Sequence, residues 1–514
     1  MAEVSHTYDE STPLLAIGQR SPRESRKRWL VLFISSLLIL GADLGVTISS
    51  TPQLEIFEEI LCHNYYGSHD GPAGTMIDER LCKSAEVQTE LALINGWKDT
   101  WDLVPGIALS LPYGVLSDHW GRRPVFMLSL LGIMLGELWV RIVCFFPNVF
   151  SLRLVWLSAL PKIIGGGDRV AASMAMVMIA DLFSEEERAT ALFRLFTFVL
   201  ISEILGMPIS AYLMRFTPWL PFNLGLGIAM VSSLFVFCIP ETLTDAKEKM
   251  RQSSTPAVNE EDAVLEESSK DATVLQAILH RARRLQEALG FIWSDAAIVI
   301  SLFGLFISPL VRLMTPVLLQ YASKKFDWNL AQASLLLSLR GGFSLGNYVI
   351  LMPALSSWIT THLRMPAQWK DLRLAQANVL LSIVGLFIVF LAGSPATLMT
   401  GLVFVALGFG FPIVCWSFVT SRVPADHVGT LYAAGSVMTA FGGIVMLPAV
   451  TYAFRFGLHL GNAWLGLPFL LAALLYFLVF VAFLFIRLEK RVDINEAGVH
   501  VGELSLQEHL EDSS

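Results

Sequence analysis

Residues 468–486 read PFLLAALLYFLVFVAFLFI, an unbroken apolar run that stops at Arg487. A hydrocarbon core takes roughly 20 such residues in helical form, and a helix is the form in which a lone segment satisfies its own backbone there. The run is therefore read as a membrane span, and Pro218 to Ile239 reads the same way. Composition agrees. Of the 514 residues, 54% are hydrophobic and 16% charged, with a mean hydropathy of +0.59, against about 25% charged in an ordinary soluble domain.

Outward from these runs, apolar stretches of helical length fall near 29–50, 97–116, 125–146, 150–180, 189–213 and 218–239. A second set falls near 292–320, 330–358, 372–393, 396–420, 427–453 and 463–486. The expected fold class is an all-α polytopic membrane protein, with twelve transmembrane helices in two pseudo-symmetric six-helix bundles. Its expected domains are a disordered cytoplasmic tail over 1–28 and an N-terminal bundle over 29–239 whose 51–96 segment is an extracytoplasmic loop. A cytoplasmic linker over 240–290, a C-terminal bundle over 291–486 and a cytoplasmic tail over 487–514 complete the chain. The first apolar run is too long for a signal-peptide core and is expected to stay as the first span. The linker holds Glu260, Glu261, Asp262, Glu266 and Glu267, then Arg281, Arg283 and Arg284, and reads as a disordered segment closing in a short surface helix.

The formal charge of −8 carries no inference about nucleic acid, because in such a chain placement of charge outweighs its sum. Arg20, Arg23, Arg26, Lys27 and Arg28 precede the first span, and Arg122, Arg123, Arg188, Arg364, Lys370, Arg373, Arg422, Arg487, Lys490 and Arg491 fall on the same side. Both termini are thus expected in the cytoplasm. The 51–96 segment is rich in acids and faces the other way. It holds Cys62 and Cys82, which an oxidising compartment would join, two free thiols being the alternative; Cys144, Cys238 and Cys415 sit in apolar runs.

Between the second and third spans stands Gly114-Val-Leu-Ser-Asp118-His-Trp-Gly121-Arg122-Arg123-Pro124. Gly114 permits close helix approach, Asp118 can accept charge-assisted bonds from arginines, and Arg122 and Arg123 anchor the basic side. A positive-inside turn alone would need only the arginines. The stretch resembles the signature loop of the major facilitator superfamily at its Gly, Asp, Gly, Arg and Arg positions. That resemblance implies a conformational latch made of Gly114, Asp118, Gly121, Arg122 and Arg123. Gly165-Gly166-Gly167, Ala180-Asp181 with Glu187-Arg188, and Pro240-Glu241-Thr242-Leu243 look like the same superfamily. Ile164 to Gly167 with Asp181, and Leu318 to Phe326 through Ser338 to Gly341, are similar to fungal members related to tetracycline exporters and proton-coupled folate carriers. A weaker echo pairs 114–118 with Pro353-Ala-Leu355-Ser356-Ser357, without the acid. Glu203-Ile-Leu-Gly206-Met-Pro208 keeps only a fragment of the helix-five motif of drug and proton antiporters.

Ionisable side chains at membrane depth are costly and point to function. Those read within spans are Asp43, Glu137, Arg141, Asp168, Arg169, Glu203, Arg312 and Arg340, with every acid in the first half and only arginines in the second. Glu137 and Arg141, four apart, read as a self-neutralising structural pair. Glu203 sits among Leu200, Ile201, Ile204 and Leu205, a setting that favours binding a proton, and is the first candidate for proton coupling; Asp43 is the second. The alternative is a Glu203 carboxylate locked to an arginine. Arg312, Arg340, Asp168 and Arg169 are candidates for substrate binding or gating.

These features predict a secondary transporter that exports a drug or secondary metabolite by alternating access, driven by protons. The alternatives are proton-coupled uptake of an organic anion or nutrient, and a transporter-like sensor. Primary pumping is disfavoured because no nucleotide-binding loop stands in the sequence, an integral membrane enzyme because no His-Glu-x-x-His or Cys-x-x-Cys set does, and no cofactor or metal is expected. The expected partners are a small-molecule substrate, protons and the bilayer, with the chain a monomer. Glu10-Ser-Thr-Pro-Leu14-Leu15 resembles an acidic dileucine sorting signal, so a vacuolar membrane is kept as the alternative to the plasma membrane.

Overall fold

The computed structural model describes residues 22–66, 79–183, 185–243, 295–363, 365–423 and 428–486. The Glu10, Leu14, Leu15 signal, both outer tails beyond these limits and linker residues 244–294 lie outside the described residues. All the described secondary structure is helical. Among the described residues, nine helices are long and apolar enough to cross a membrane, and they coincide with predicted spans one, three and six to twelve. Of the remaining three predicted spans, the second, Ala85–Trp120, carries Lys98, Asp99 and Asp102, the fourth is broken, and the fifth is the helix Glu185–Leu213 with the apolar stretch Thr197–Leu213 among its described residues.

Two expectations need correction. The first span does not end at Ser50, and 51–96 is not one loop: the helix runs Pro22–Tyr66, and the second span already begins at Ala85. Buried Leu54, Ile56 and Phe57 explain the continuation, since their side chains join the core above the bilayer-length run. Nor is 150–180 a single helix. Short 3-10 turns Leu152–Ala159 and Pro161–Ile163 precede the helix Gly167–Leu182. Gly165, Gly166 and Gly167 have φ of 89°, 77° and 64°, a left-handed run that ends any right-handed helix and that only glycine adopts freely.

Small residues set the helix spacing. A Cβ on Gly45 in the first span would stand 2.4 Å from the Gly225 carbonyl oxygen in the sixth, Trp219–Leu234, so the two backbones touch there. Long spans of the second half break where proline or glycine intrudes: Ala296–Ile307 gives way at Pro309, and Pro395–Gly408 at Gly410.

The two halves join at the end that carries Cys62 and Cys82. There one continuous core includes Phe57, Leu91 and Met207 of the first half with Leu318, Tyr321 and Phe454 of the second. At the opposite, arginine-rich end the first half keeps a separate core around Val31, Val125, Met178 and Ile239. Seam bonds at the joined end run from Lys83 Nζ to the Trp328 carbonyl, 2.9 Å, and from Lys324 Nζ to the Lys83 carbonyl, 2.6 Å.

Candidate functional site

Cys62 and Cys82 are bridged, with Cα atoms 5.0 Å apart, pinning the end of the first span beside the start of the second. At the other end, the helix Ala85–Trp120 stops at Gly121, whose φ of 111° turns the chain into the third span, Arg122–Phe145. A Cβ on Gly121 would lie 2.5 Å from Glu241 Oε2, so the site needs glycine for space as well as for conformation. The Arg122 guanidinium donates to Asp118 at 2.5 Å and to Ser117 Oγ at 2.7 Å, and its Nε lies 3.4 Å from Asp181. Glu241 accepts the backbone N–H of Arg122 at 2.9 Å and of Arg123 at 3.2 Å, at the helix start where such donors lack partners. Arg123 reaches the Phe237 carbonyl at 2.7 Å. Gly114 does not serve close helix approach: a Cβ there would meet nothing within 4 Å.

A second constellation lies between the halves. Glu203 of the fifth span and Arg340 of the eighth, Leu330–Gly346, form an ion pair at 2.8 Å, and Arg340 also donates to Thr315 Oγ1 at 3.3 Å. The apolar surroundings read for Glu203 therefore contain a guanidinium from the opposite half. Asp43 lies beside Ser202, within electrostatic reach of Glu203 and Arg312. Arg312 and Arg169 are exposed, one from each half, and feel each other's charge. Asp168 is exposed and pairs with Lys162 at 3.3 Å rather than with its neighbour Arg169.

The sequence reading of intramembrane charge was incomplete. Lys98, Asp102 and Lys162 form a largely buried network with the Glu137–Arg141 pair, which is closed at 2.9 Å, and Asp99 stands at its edge with 32% of its side chain accessible. Asp102 accepts from Lys98 and Lys162, both at 3.1 Å, and from Ser158 Oγ at 2.9 Å. Arg141 donates onward to the Phe222 carbonyl at 2.7 Å, so the network also ties in the sixth span. The second half is not free of buried acid either: Asp371 is buried and accepts from Ser417 Oγ at 2.6 Å. The signal was present. Lys98, Asp99 and Asp102, three charges within five residues, fall at the edge of the run read as 97–116, whereas the helix starts at Ala85 and carries them about 20 Å inward.

With the Gly114–Pro124 loop, the all-helical membrane bundle and the inter-half ion pair in view, comparison with known proteins is decisive. Residues 87–447 match the family model for the Major Facilitator Superfamily. The chain belongs to the Major Facilitator Superfamily. Among its relatives is the efflux pump ustT of Aspergillus flavus, 36% identical over 84% of this chain and 83% of that one. Another is the MFS efflux pump atnC of Emericella nidulans, 33% identical over 92% of each chain. Among solved structures, the xylose transporter XylE of E. coli matches with a TM-score of 0.57 at 14% identity, over 91% of this chain and 98% of that one. The human organic anion transporter MFSD10 matches with a TM-score of 0.52 at 18% identity, over 90% of this chain and 100% of that one; at these identities both speak for the fold alone. The chain is an integral membrane transporter of the superfamily, whose members named here are transporters, not enzymes.

Proposed function

We propose that this superfamily member exports a small secondary metabolite or drug in exchange for protons, with its arginine-rich end in the cytoplasm, at the plasma membrane or alternatively the vacuolar membrane. The export direction is supported by the two fungal relatives named as efflux pumps. The observation that carries the coupling is the Glu203–Arg340 pair, because its partners belong to different halves. When the halves separate at the disulfide end, Glu203 loses its cation and binds a proton from that side. When they close, Arg340 returns and displaces the proton towards the opposite side. Asp43, beside the pair, is the nearest second proton carrier. Arg312 and Arg169, exposed and from different halves, are the substrate-side groups, and the latch at Asp118 and Arg122 stabilises one access state at the cytoplasmic end.

The test is pH-gradient-driven flux in proteoliposomes across a panel of organic anions and hydrophobic drugs, comparing wild type with Glu203→Gln. Loss of driven flux with retained exchange is expected. Driven flux unchanged in the variant removes Glu203 from coupling, and binding of a panel compound without any flux favours a sensor.

A further inference from the structure

The buried network of the first half reaches the seam between the halves at Asp99. Asp99 lines a narrow crevice with Asn95 of its own helix, Leu313, Val317 and Gln320 of the seventh span region, and Thr451 of the eleventh span. Its carboxylate is the least compensated in the network. Lys98 stands 3.7 Å away and is already bonded to Asp102 at 3.1 Å, and the remaining bond to Asp99 comes from the neutral Asn95 amide at 3.1 Å. The charged groups around it are Lys98 and Asp102 on the second span, Glu137 on the third and Lys162 on the fourth. The residues of spans seven and eleven that line the crevice bring no charge.

Across the seam sits an acceptor without a donor. Gln320 is 1% exposed, and its Oε1 has no hydrogen-bond partner. A buried acceptor left unpaired is destabilising, because it has given up its bond to water without replacing it. Within the network Asp102 is held by Lys98 and Lys162, Glu137 by Arg141 and Asp168 by Lys162, which leaves Asp99 without a cation of its own.

We propose that Asp99 is a further proton-binding site of the transporter, apart from Glu203 and Asp43, protonated while the disulfide end is closed, when its carboxyl O–H serves the Gln320 side chain across the seam. A proton taken from solution forms that O–H bond, and its return to solution leaves a carboxylate that the crevice cannot pair. Proton binding at Asp99 and closure at the disulfide end therefore favour each other. This rests on proton coupling as proposed above, but is distinct from Glu203, whose proton competes with closure.

The experiment needs neither gradient nor substrate, so it stands apart from the flux test. Nitroxides carried on ketone-bearing residues at positions 64 and 332, one in each half at the disulfide end, report the closed fraction of the full chain in nanodiscs. The distance distribution is recorded from about pH 5 to about pH 9. As pH rises, the ratio of closed to open is expected to fall, by up to about tenfold per unit for one linked proton. Asp99→Asn, a permanent donor, should match wild type at acid pH and stay closed at alkaline pH. Gln320→Leu should lower closure at acid pH and converge with wild type at alkaline pH, which keeps the test open if Asp99→Asn fails to fold. Superimposable curves for wild type and either variant overturn the proposal, as does a wild-type ratio more closed at alkaline than at acid pH. Failure of gradient-driven flux with these curves intact would remove the exporter reading and leave the Asp99 switch.

Discussion

Arg122 holds Ser117, Asp118 and Asp181 from one planar guanidinium, and Asp181 is in turn held by Thr242 Oγ1 at 3.2 Å. Lysine offers the same charge but a single point of attachment, so it cannot span three oxygens on two helices. Arg122→Lys is expected to slow initial transport rates about tenfold, the effect of losing one charge-assisted hydrogen bond in the moving state, while leaving membrane insertion intact. Asp118→Asn should be milder, because Asp118 is one-third exposed; a variant as slow as Arg122→Lys would show that the pair, not the wider cluster, is the latch. Asp118, Gly121, Arg122 and Arg123 were readable as a spaced motif. Glu241 was readable only as part of a family-like tetrapeptide, because no local pattern joins it to backbone groups more than a hundred positions away. Lys98, Asp99 and Asp102 were misjudged for a related reason: depth in the bilayer depends on where a helix starts, and hydropathy locates helix centres better than ends.

At the scale of elements, the break in the fourth span concentrates in Gly165. A Cβ there would stand 2.2 Å from the Ser129 backbone nitrogen, and its φ of 89° is strained for any other residue. The close approach is used: Ser129 Oγ donates to the Gly165 carbonyl at 2.6 Å, and Tyr113 Oη receives the Gly165 N–H at 2.8 Å. Gly165→Ala is expected to destabilise the folded protein by at least about 2 kcal/mol, combining left-handed strain with overpacking. Gly342→Ala is the control, since a Cβ there meets nothing within 4 Å. Thermal unfolding in detergent checks both, and equal melting temperatures would contradict the packing argument. Three adjacent glycines inside an apolar run were read as helix interior, because composition marks permissiveness and not the sign of φ. The extension of the first span to Tyr66 escaped for the opposite reason. Its acids Glu55, Glu58 and Glu59 suggested a loop, whereas the helix buries Leu54, Ile56 and Phe57, and Glu58 with them, where Gln88 donates to it.

At the scale of the whole molecule, the disulfide and the seam form one mechanical unit. Cys82 is bonded to Cys62 at the end of the first span, and the next residue, Lys83, both donates to Trp328 and accepts from Lys324 of the other half. Gln88 reinforces the same corner by donating to Glu58 at 2.6 Å and to the Cys82 carbonyl at 3.1 Å. Trp328 is itself fixed by Ser323 Oγ, which donates to its carbonyl at 2.7 Å. A cross-link over a sequence separation of 20 contributes about 3 kcal/mol by limiting the unfolded chain, and here it also decides where Lys83 stands. The double variant Cys62→Ser with Cys82→Ser should therefore do two things. It should lower the melting temperature, and it should broaden the distance between labels at positions 64 and 332 by loosening the seam. Reductant should broaden that distance in wild type and leave the double variant unchanged. If the distance stays narrow in the double variant although the melting temperature falls, the bridge stabilises the fold without holding the gate, and the closure must be assigned to Glu203–Arg340 and the packed seam alone.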